Sequence, residues 1–398
     1  MSHHQAIPNS EKFDASKGKQ LKTILQGAAA LGAIGTLITF FFDKELGAHA
    51  WLFGFMYFFT VLVGCFFWNC LHHATDSEWS VVVRRQIENL ASLLKYIGIF
   101  FIPVALCAWI LYRWFNLKPG EDTLLDGTKG LYLNKPFFWG RAICFFVLLG
   151  FLSTSLRKRS MAQDTDGAAV HTLKMRGLAI AGIPAMAICL TFGGIDWMKA
   201  LNHHWFSTMW GVYLFAGAAG ASMALIVLTV SWLQDKGYLK PVNEEHYHLM
   251  GKFLFAFTVF WAYIGFSQYM LITYANIDEE TIYFRVRNTG GWNYLSMFLV
   301  FGRFFFMFVP LLFQGLKKSK KIRLVAAWIL LMQFLDLFLI IMPEYYPQGF
   351  SIVAVVAAVF PWLTIAGSLG LLFLKHLGQG YVFPTKDPRL AESLKFTN

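Results

Sequence analysis

The chain has 398 residues, of which 57% are hydrophobic, 18% aromatic and only 14% charged. That composition excludes an ordinary soluble domain, in which about a quarter of the residues carry charge. The net charge of +11 suggests a nucleic-acid partner, but the placement of the basic residues excludes one in favour of a membrane.

A helix needs about 20 apolar residues to cross a hydrocarbon core of about 30 Å. Ten such runs are present, at 22–42, 50–71, 91–115, 136–155, 176–194, 207–233, 250–275, 292–315, 322–342 and 351–375. They are continuous rather than alternating, so the expected fold is all-α and integral to a membrane, with ten transmembrane helices. Of the 34 Lys and Arg, 24 fall at the two termini and in the loops after the even-numbered runs. Eight fall in the other loops, and Arg141 and Arg303 lie inside runs. This is the bias of cytoplasmic loops. It predicts cytoplasmic tails at 1–20 and 377–398 and a membrane domain over 21–376. The five cysteines all lie inside apolar runs without a CxxC or zinc spacing, so they read as small core residues, and no metal site is expected. No cleavable signal is expected, because the chain is polar through Gln20 and Leu21 opens a full-length span.

In chain order, the first run is rich in small residues (Gly27-Ala28-Ala29-Ala30, Gly32, Gly35), which let helices approach closely. The second ends in His72-His73. Thr75 and Glu78 form a capping-box pattern that predicts a helix start at Asp76. From there to Phe115 the chain is too long for one crossing, so either the first turns follow the cytoplasmic surface or the helix bends near Pro103. On one helix, His72 and Asp76 would share a face, as would Arg84 and Glu88. This region reads either as a solvated hairpin or as a cytoplasmic entrance for protons at His72, His73, Asp76, Glu78, Arg85 and Glu88.

The fourth run carries Gly140-Arg141 and the eighth Gly302-Arg303. Both runs go from outside to inside and end in basic clusters. The match predicts a parallel duplication of a four-helix unit, runs 2–5 (50–194) and runs 6–9 (205–342), flanked by runs 1 and 10. Charged side chains inside spans are expensive and functional by default. Arg303 and Asp336, on adjacent helices, are predicted to pair, and with Arg141 they extend the candidate proton path. No histidine sits in mid-span, as axial haem ligation within the bundle would require, so neither haem nor an iron–sulfur cluster is expected in this chain.

Between runs five and six lies Gly194-Ile195-Asp196-Trp197-Met198-Lys199-Ala200-Leu201-Asn202-His203-His204-Trp205-Phe206. Polar groups set among aromatic rings mark an outer membrane–water interface. Asp196, Trp197, His203, His204 and Trp205 are the candidates there, and the resemblance described next implies that they serve either quinol contact or the docking of outer subunits.

The pattern Asp196-Trp197-Met198, His204-Trp205-Phe206-Ser207-Thr208, Gly211-Val212-Tyr213 and Phe215-Ala216-Gly217 resembles the signature of NrfD-like (polysulfide-reductase-type) membrane subunits. More narrowly it resembles the second such subunit, the F subunit, of alternative complex III, a quinol:cytochrome c oxidoreductase. His72-His73-Ala74, Glu78-Trp79, Arg84-Arg85 and Glu88-Asn89 fit the same family. Where that family carries an acidic residue and a proline, this chain has Asn202 and His203. A carboxylate is lost and a second imidazole, which titrates near neutrality, is gained.

The resemblance implies a subunit of the bacterial inner membrane with no cofactor of its own. It implies menaquinol or another quinol as the donor. The implied partners are a sister NrfD-like subunit, an iron–sulfur subunit, multihaem and monohaem cytochrome c subunits, a terminal oxidase and lipid. The chain would scaffold the complex and conduct protons or contact quinol. A secondary transporter is the alternative from another class. Against it, the Pro-interrupted positions Gly182-Ile183-Pro184 and Phe360-Pro361 are not matched between the halves.

Overall fold

The computed structural model describes residues 11–397. Apart from one isolated β-bridge, their regular structure is helical. Ten helices are long and apolar enough to cross a membrane: α1 (Ala15–Phe42), α2 (Lys44–Ala74), α3 (Val81–Leu106), α4 (Lys135–Asp166), α5 (Ala169–Asn202), α6 (Trp210–Asp235), α7 (Glu244–Ala275), α8 (Trp292–Leu312), α9 (Ile322–Tyr345) and α10 (Ile352–Leu377). The chain is a multi-pass α-helical membrane protein.

The neighbours repeat. α2, α3, α4 and α5 pack in a ring, each against the next and α5 back against α2. α6, α7, α8 and α9 form a second ring with the same order. The rings join where α2 and α6, the most buried helices, lie together. There Trp68 Nε1 donates to the Ala219 carbonyl at 3.0 Å. α1 lies along α10, outside both rings. The small residues of α1 serve this approach: a methyl added at Gly32 would stand 2.5 Å from the Thr364 backbone nitrogen.

Helix boundaries depart from the sequence reading in two places. α1 starts at Ala15, ahead of the apolar run, because the Asp14 side chain caps it through the Ser16 amide at 2.9 Å. The stretch after His73 is not a helix starting at Asp76. Thr75 turns its hydroxyl back to the Leu71 carbonyl at 2.8 Å and closes α2. Asp76 takes a left-handed φ of 52°, and α3 begins only at Val81. α3 is itself two helices, Val81–Ala91 and Leu94–Leu106, broken at Ser92-Leu93 rather than bent at Pro103.

The end of the chain is not a free tail. After α10 it runs back across the ends of α3 and α4. Gln86 Nε2 donates to the Val382 carbonyl at 2.6 Å, and the Thr385 amide to Asp164 at 2.9 Å. Ser393 Oγ donates to the Trp79 carbonyl at 2.9 Å. The N-terminal segment meets it through the Lys12–Tyr381 bridge, so both described ends lie on one face, which also carries most of the basic residues.

Candidate functional site

Each ring holds one buried arginine–aspartate pair on its last two helices. In the second ring, Arg303 sits in a π-helical turn, Val300–Phe305. Such turns leave the ordinary i to i−4 ladder and recur at functional sites. Trp328 Nε1 donates to the Gly302 carbonyl at 2.8 Å within that turn. Arg303 Nη1 meets Asp336 Oδ2 at 2.6 Å and Nη2 meets Gln333 Oε1 at 2.7 Å. The guanidinium carbon lies 4.2 Å from the centroid of the Trp261 ring. Asp336 also accepts from Trp261 Nε1 at 3.2 Å and from the Tyr213 hydroxyl. The carboxylate therefore has a cation and two neutral donors, which offsets its removal from water. α6 can come this close because residue 217 has no side chain: a methyl there would stand 2.8 Å from Gln333 Oε1 and 3.3 Å from Arg303 Nη2.

In the first ring, Arg141 of α4 grips Asp196 of α5 with two hydrogen bonds, Nε to Oδ2 at 2.7 Å and Nη2 to Oδ1 at 2.9 Å. Its third nitrogen, Nη1, donates to the Tyr132 carbonyl at 3.0 Å, and the guanidinium lies 3.8 Å from the centroid of the Tyr132 ring. The predicted Arg303–Asp336 pair is present. Arg141 and Asp196 form its counterpart, joining a residue of the expected proton path to one of the expected interface.

The stretch 194–206 is therefore not one site. Asp196 turns inward to Arg141. Trp197 is buried among the rings of Phe55, Phe59, Phe101 and Phe146. Trp205 stacks on Tyr283 at 4.1 Å and donates to the Glu280 carbonyl at 2.9 Å, which seats the short helix Asp278–Arg287. His203 and His204 meet Asp122, on the 116–134 loop: His203 Nε2 lies 2.7 Å and His204 Nε2 3.3 Å from Asp122 Oδ2. The hydrogen bond from His203 holds the Asp122 carboxyl below its ordinary range. Burial pushes the His203 imidazole down, against the pull of Asp122.

Asp336 of the second pair faces a cavity of about 600 Å³. Tyr213, Trp261, Tyr283, Arg287 and Asp336 give it a polar and aromatic wall. Tyr263, Phe266, Met297 and Phe305 line it too, and all four are exposed on the outside of the helices. The cavity thus connects the surface of the spans to a buried carboxylate. Arg287 is held by Glu344 at 2.9 Å and stacks on Tyr283 at 3.5 Å. Burial raises the Tyr283 hydroxyl to about 12, so it stays protonated.

The remaining candidates gather at the basic face. His72, His73, Arg84, Arg85 and Glu88 are all buried, so this is not a solvated hairpin. Glu88 has His73 at 3.6 Å, Arg84 at 3.4 Å and Arg85 at 3.5 Å. Arg85 also reaches Asp164 at 2.5 Å, and Arg84 pairs with Asp387. The ring nitrogens of His72 are buried without a protein partner, between Trp68 and Trp79. Asp76 does not pair with His72. It lies at the rim with Arg176 and Arg389, and Glu78 is exposed. The central helices α2 and α6 also bury the hydroxyls of Thr60 and Ser222 and the Asn69 amide.

Sequence reasoning missed Asp387, Asp164, Gln333 and Trp261, none of which stands in a motif. Tyr213 and Gly217 lay inside the motif that carries the family resemblance, but their purpose shows only when Asp336 is seen beside them. No protein-family model matches the chain. No curated protein matches it either.

Proposed function

We propose that this chain is a membrane subunit of a bacterial respiratory quinol:electron-acceptor oxidoreductase. It holds no redox centre, scaffolds the complex, and contacts quinol through the cavity beside Arg303 and Asp336. One observation carries the reading: a cavity open toward the lipid-facing surface ends on a buried carboxylate that a tyrosine and an arginine orient. Its volume suits a small ring compound. A quinol head group brings hydroxyls that Asp336 can accept from, and flat faces that Trp261 and Tyr283 can lie against. The apolar rim at Phe266, Met297 and Phe305 suits an isoprenoid tail.

This reading moves quinol contact from His203 and His204 to the second ring. Haem c and iron–sulfur centres belong to partner subunits on the sparsely charged face, and both ends of the chain lie in the cytoplasm. Proton transfer from the basic-face cluster to Asp336 would need water to carry it between them.

The reading is tested by isolating the chain from its native membranes through an affinity tag. It is expected to bring c-type haem absorbance and quinol-oxidising activity with it. Isolation alone or as a homo-oligomer, with no haem and no quinol oxidation, would support a transporter instead.

A further inference from the structure

The outer loops bring three metal-ligating side chains together that share no sequence spacing. Asp122, His203 and His204 each offer one ligand atom, and the three atoms lie within 4.8 Å of one another. Asp122 is fixed in place: its Oδ1 caps the short helix Thr123–Asp126 through the Leu124 amide at 2.9 Å. That leaves Oδ2 facing both imidazoles, at 2.7 and 3.3 Å. A tetrahedral zinc ion with bonds of about 2.0–2.2 Å holds its ligand atoms about 3.3 Å apart. The His204 distance matches that spacing before any ion binds, and the His203 contact is a hydrogen bond that opens by about 0.6 Å as an ion replaces its proton. The rings of the two histidines lie 4.2 Å apart between centroids, so both can turn toward one point.

We propose that Asp122, His203 and His204 form a binding site for a divalent transition-metal ion, with zinc as the ion the ligand set suits best. Two imidazoles, which are borderline donors, and one carboxylate oxygen, a harder one, are ligands that zinc accepts. His203 is buried and Asp122 half-buried, whereas the His204 side chain is 57% exposed. The open side at His204 gives the ion a way in and leaves a fourth position for water. A bound ion would fix the 116–134 loop onto the turn between α5 and α6.

Lys129 opposes the ion. Its Nζ donates to the backbone carbonyls of His203 at 2.8 Å and His204 at 3.3 Å. It holds the loop from the backbone side while placing a positive charge near the site. Removing that charge should therefore tighten metal binding, an effect opposite to that of removing a ligand.

The test uses the full chain in detergent, purified through a tag free of histidine and titrated with zinc ion alone. Wild type is expected to bind one tightly held zinc ion per chain. His204→Ala, at an exposed position, should keep the fold and weaken binding by more than about tenfold, the cost of disturbing even an outer-shell partner of a metal. Asp122→Asn should weaken it similarly, and Lys129→Gln should strengthen it. Cobalt in place of zinc should give the visible absorption of a four-coordinate site in wild type and lose it in His204→Ala. Absence of saturable zinc binding to wild type would overturn the proposal, as would equal affinity in wild type, His204→Ala and Asp122→Asn.

Discussion

Asp336→Ala is expected to destabilise the chain by about 3–5 kcal/mol, the usual cost of breaking a buried ion pair from one side. The cost comes from what is left behind. Arg303 would keep Gln333 and the Trp261 ring but lose its only carboxylate within reach among the described residues. The Tyr213 hydroxyl and Trp261 Nε1 would lose their acceptor as well. Each unmade buried hydrogen bond adds about 1–3 kcal/mol of desolvation, although these terms overlap with the first. Thermal unfolding in detergent reads the loss directly. The double substitution Asp336→Leu with Arg303→Met separates stability from function. Apolar residues of similar size often replace a buried pair without penalty. The double variant should therefore recover the part of the stability lost to the unpaired charge, though not the part lost with the acceptor of Tyr213 and Trp261, and assemble, yet fail to restore the quinol oxidation proposed for the complex. Full turnover in the assembled double variant would reduce the pair to a structural clasp.

The second large effect is expected at the opposite face. Arg84 is fully buried and joins α3 to the returning C-terminal segment through Asp387. Arg84→Met should cost about 3–5 kcal/mol by the same physics, since Glu88 and Asp387 would remain buried with weaker partners. Its signature differs from that of Asp336→Ala. Asp387 would hold only Arg389, at 3.1 Å, so the 379–396 segment should loosen while the helix rings stay intact. Limited proteolysis should then cut near residue 380 in the variant and not in wild type. Acid should act on the same contact. Burial alone would raise the Asp387 carboxyl, but Arg84 and Arg389 outweigh it and hold the group below its ordinary value of 3.8. A carboxylate whose value is depressed by folding contributes stability above its unfolded value and loses it as pH falls through the folded one. The segment should stay docked through the neutral range and release only in strong acid.

The helices were legible because apolar runs of membrane length have few other readings. The Arg303–Asp336 pair was legible because two opposite charges on adjacent spans must each find a partner. Other features were hidden for physical reasons. The 194–206 stretch looks continuous in sequence, but a helix end turns successive side chains in different directions, so Asp196 faces Arg141 while His203 faces Asp122. The basic-face cluster looks like a water-facing hairpin because polarity along the chain does not reveal what covers it. Here the cover is the 379–396 segment, whose docking depends on single contacts such as Gln86 with Val382. The π-helical turn around Arg303 has no composition signal, since Val300-Phe301-Gly302-Arg303-Phe304-Phe305 reads as ordinary span. The capping box at Thr75 failed because its hydroxyl found a nearer acceptor at Leu71.

The most direct measurement of the central claim is photolabelling of the proposed quinol-oxidising complex, isolated intact through this chain, with an azido-quinone, followed by mapping of the labelled peptides. Attachment within 259–269 or 296–305 of this chain, suppressed by excess quinone and by Phe266→Trp, is the predicted result. Labelling confined to other subunits, with this chain unlabelled and turnover unaffected by Phe266→Trp, would contradict quinol contact here and leave the chain as scaffold.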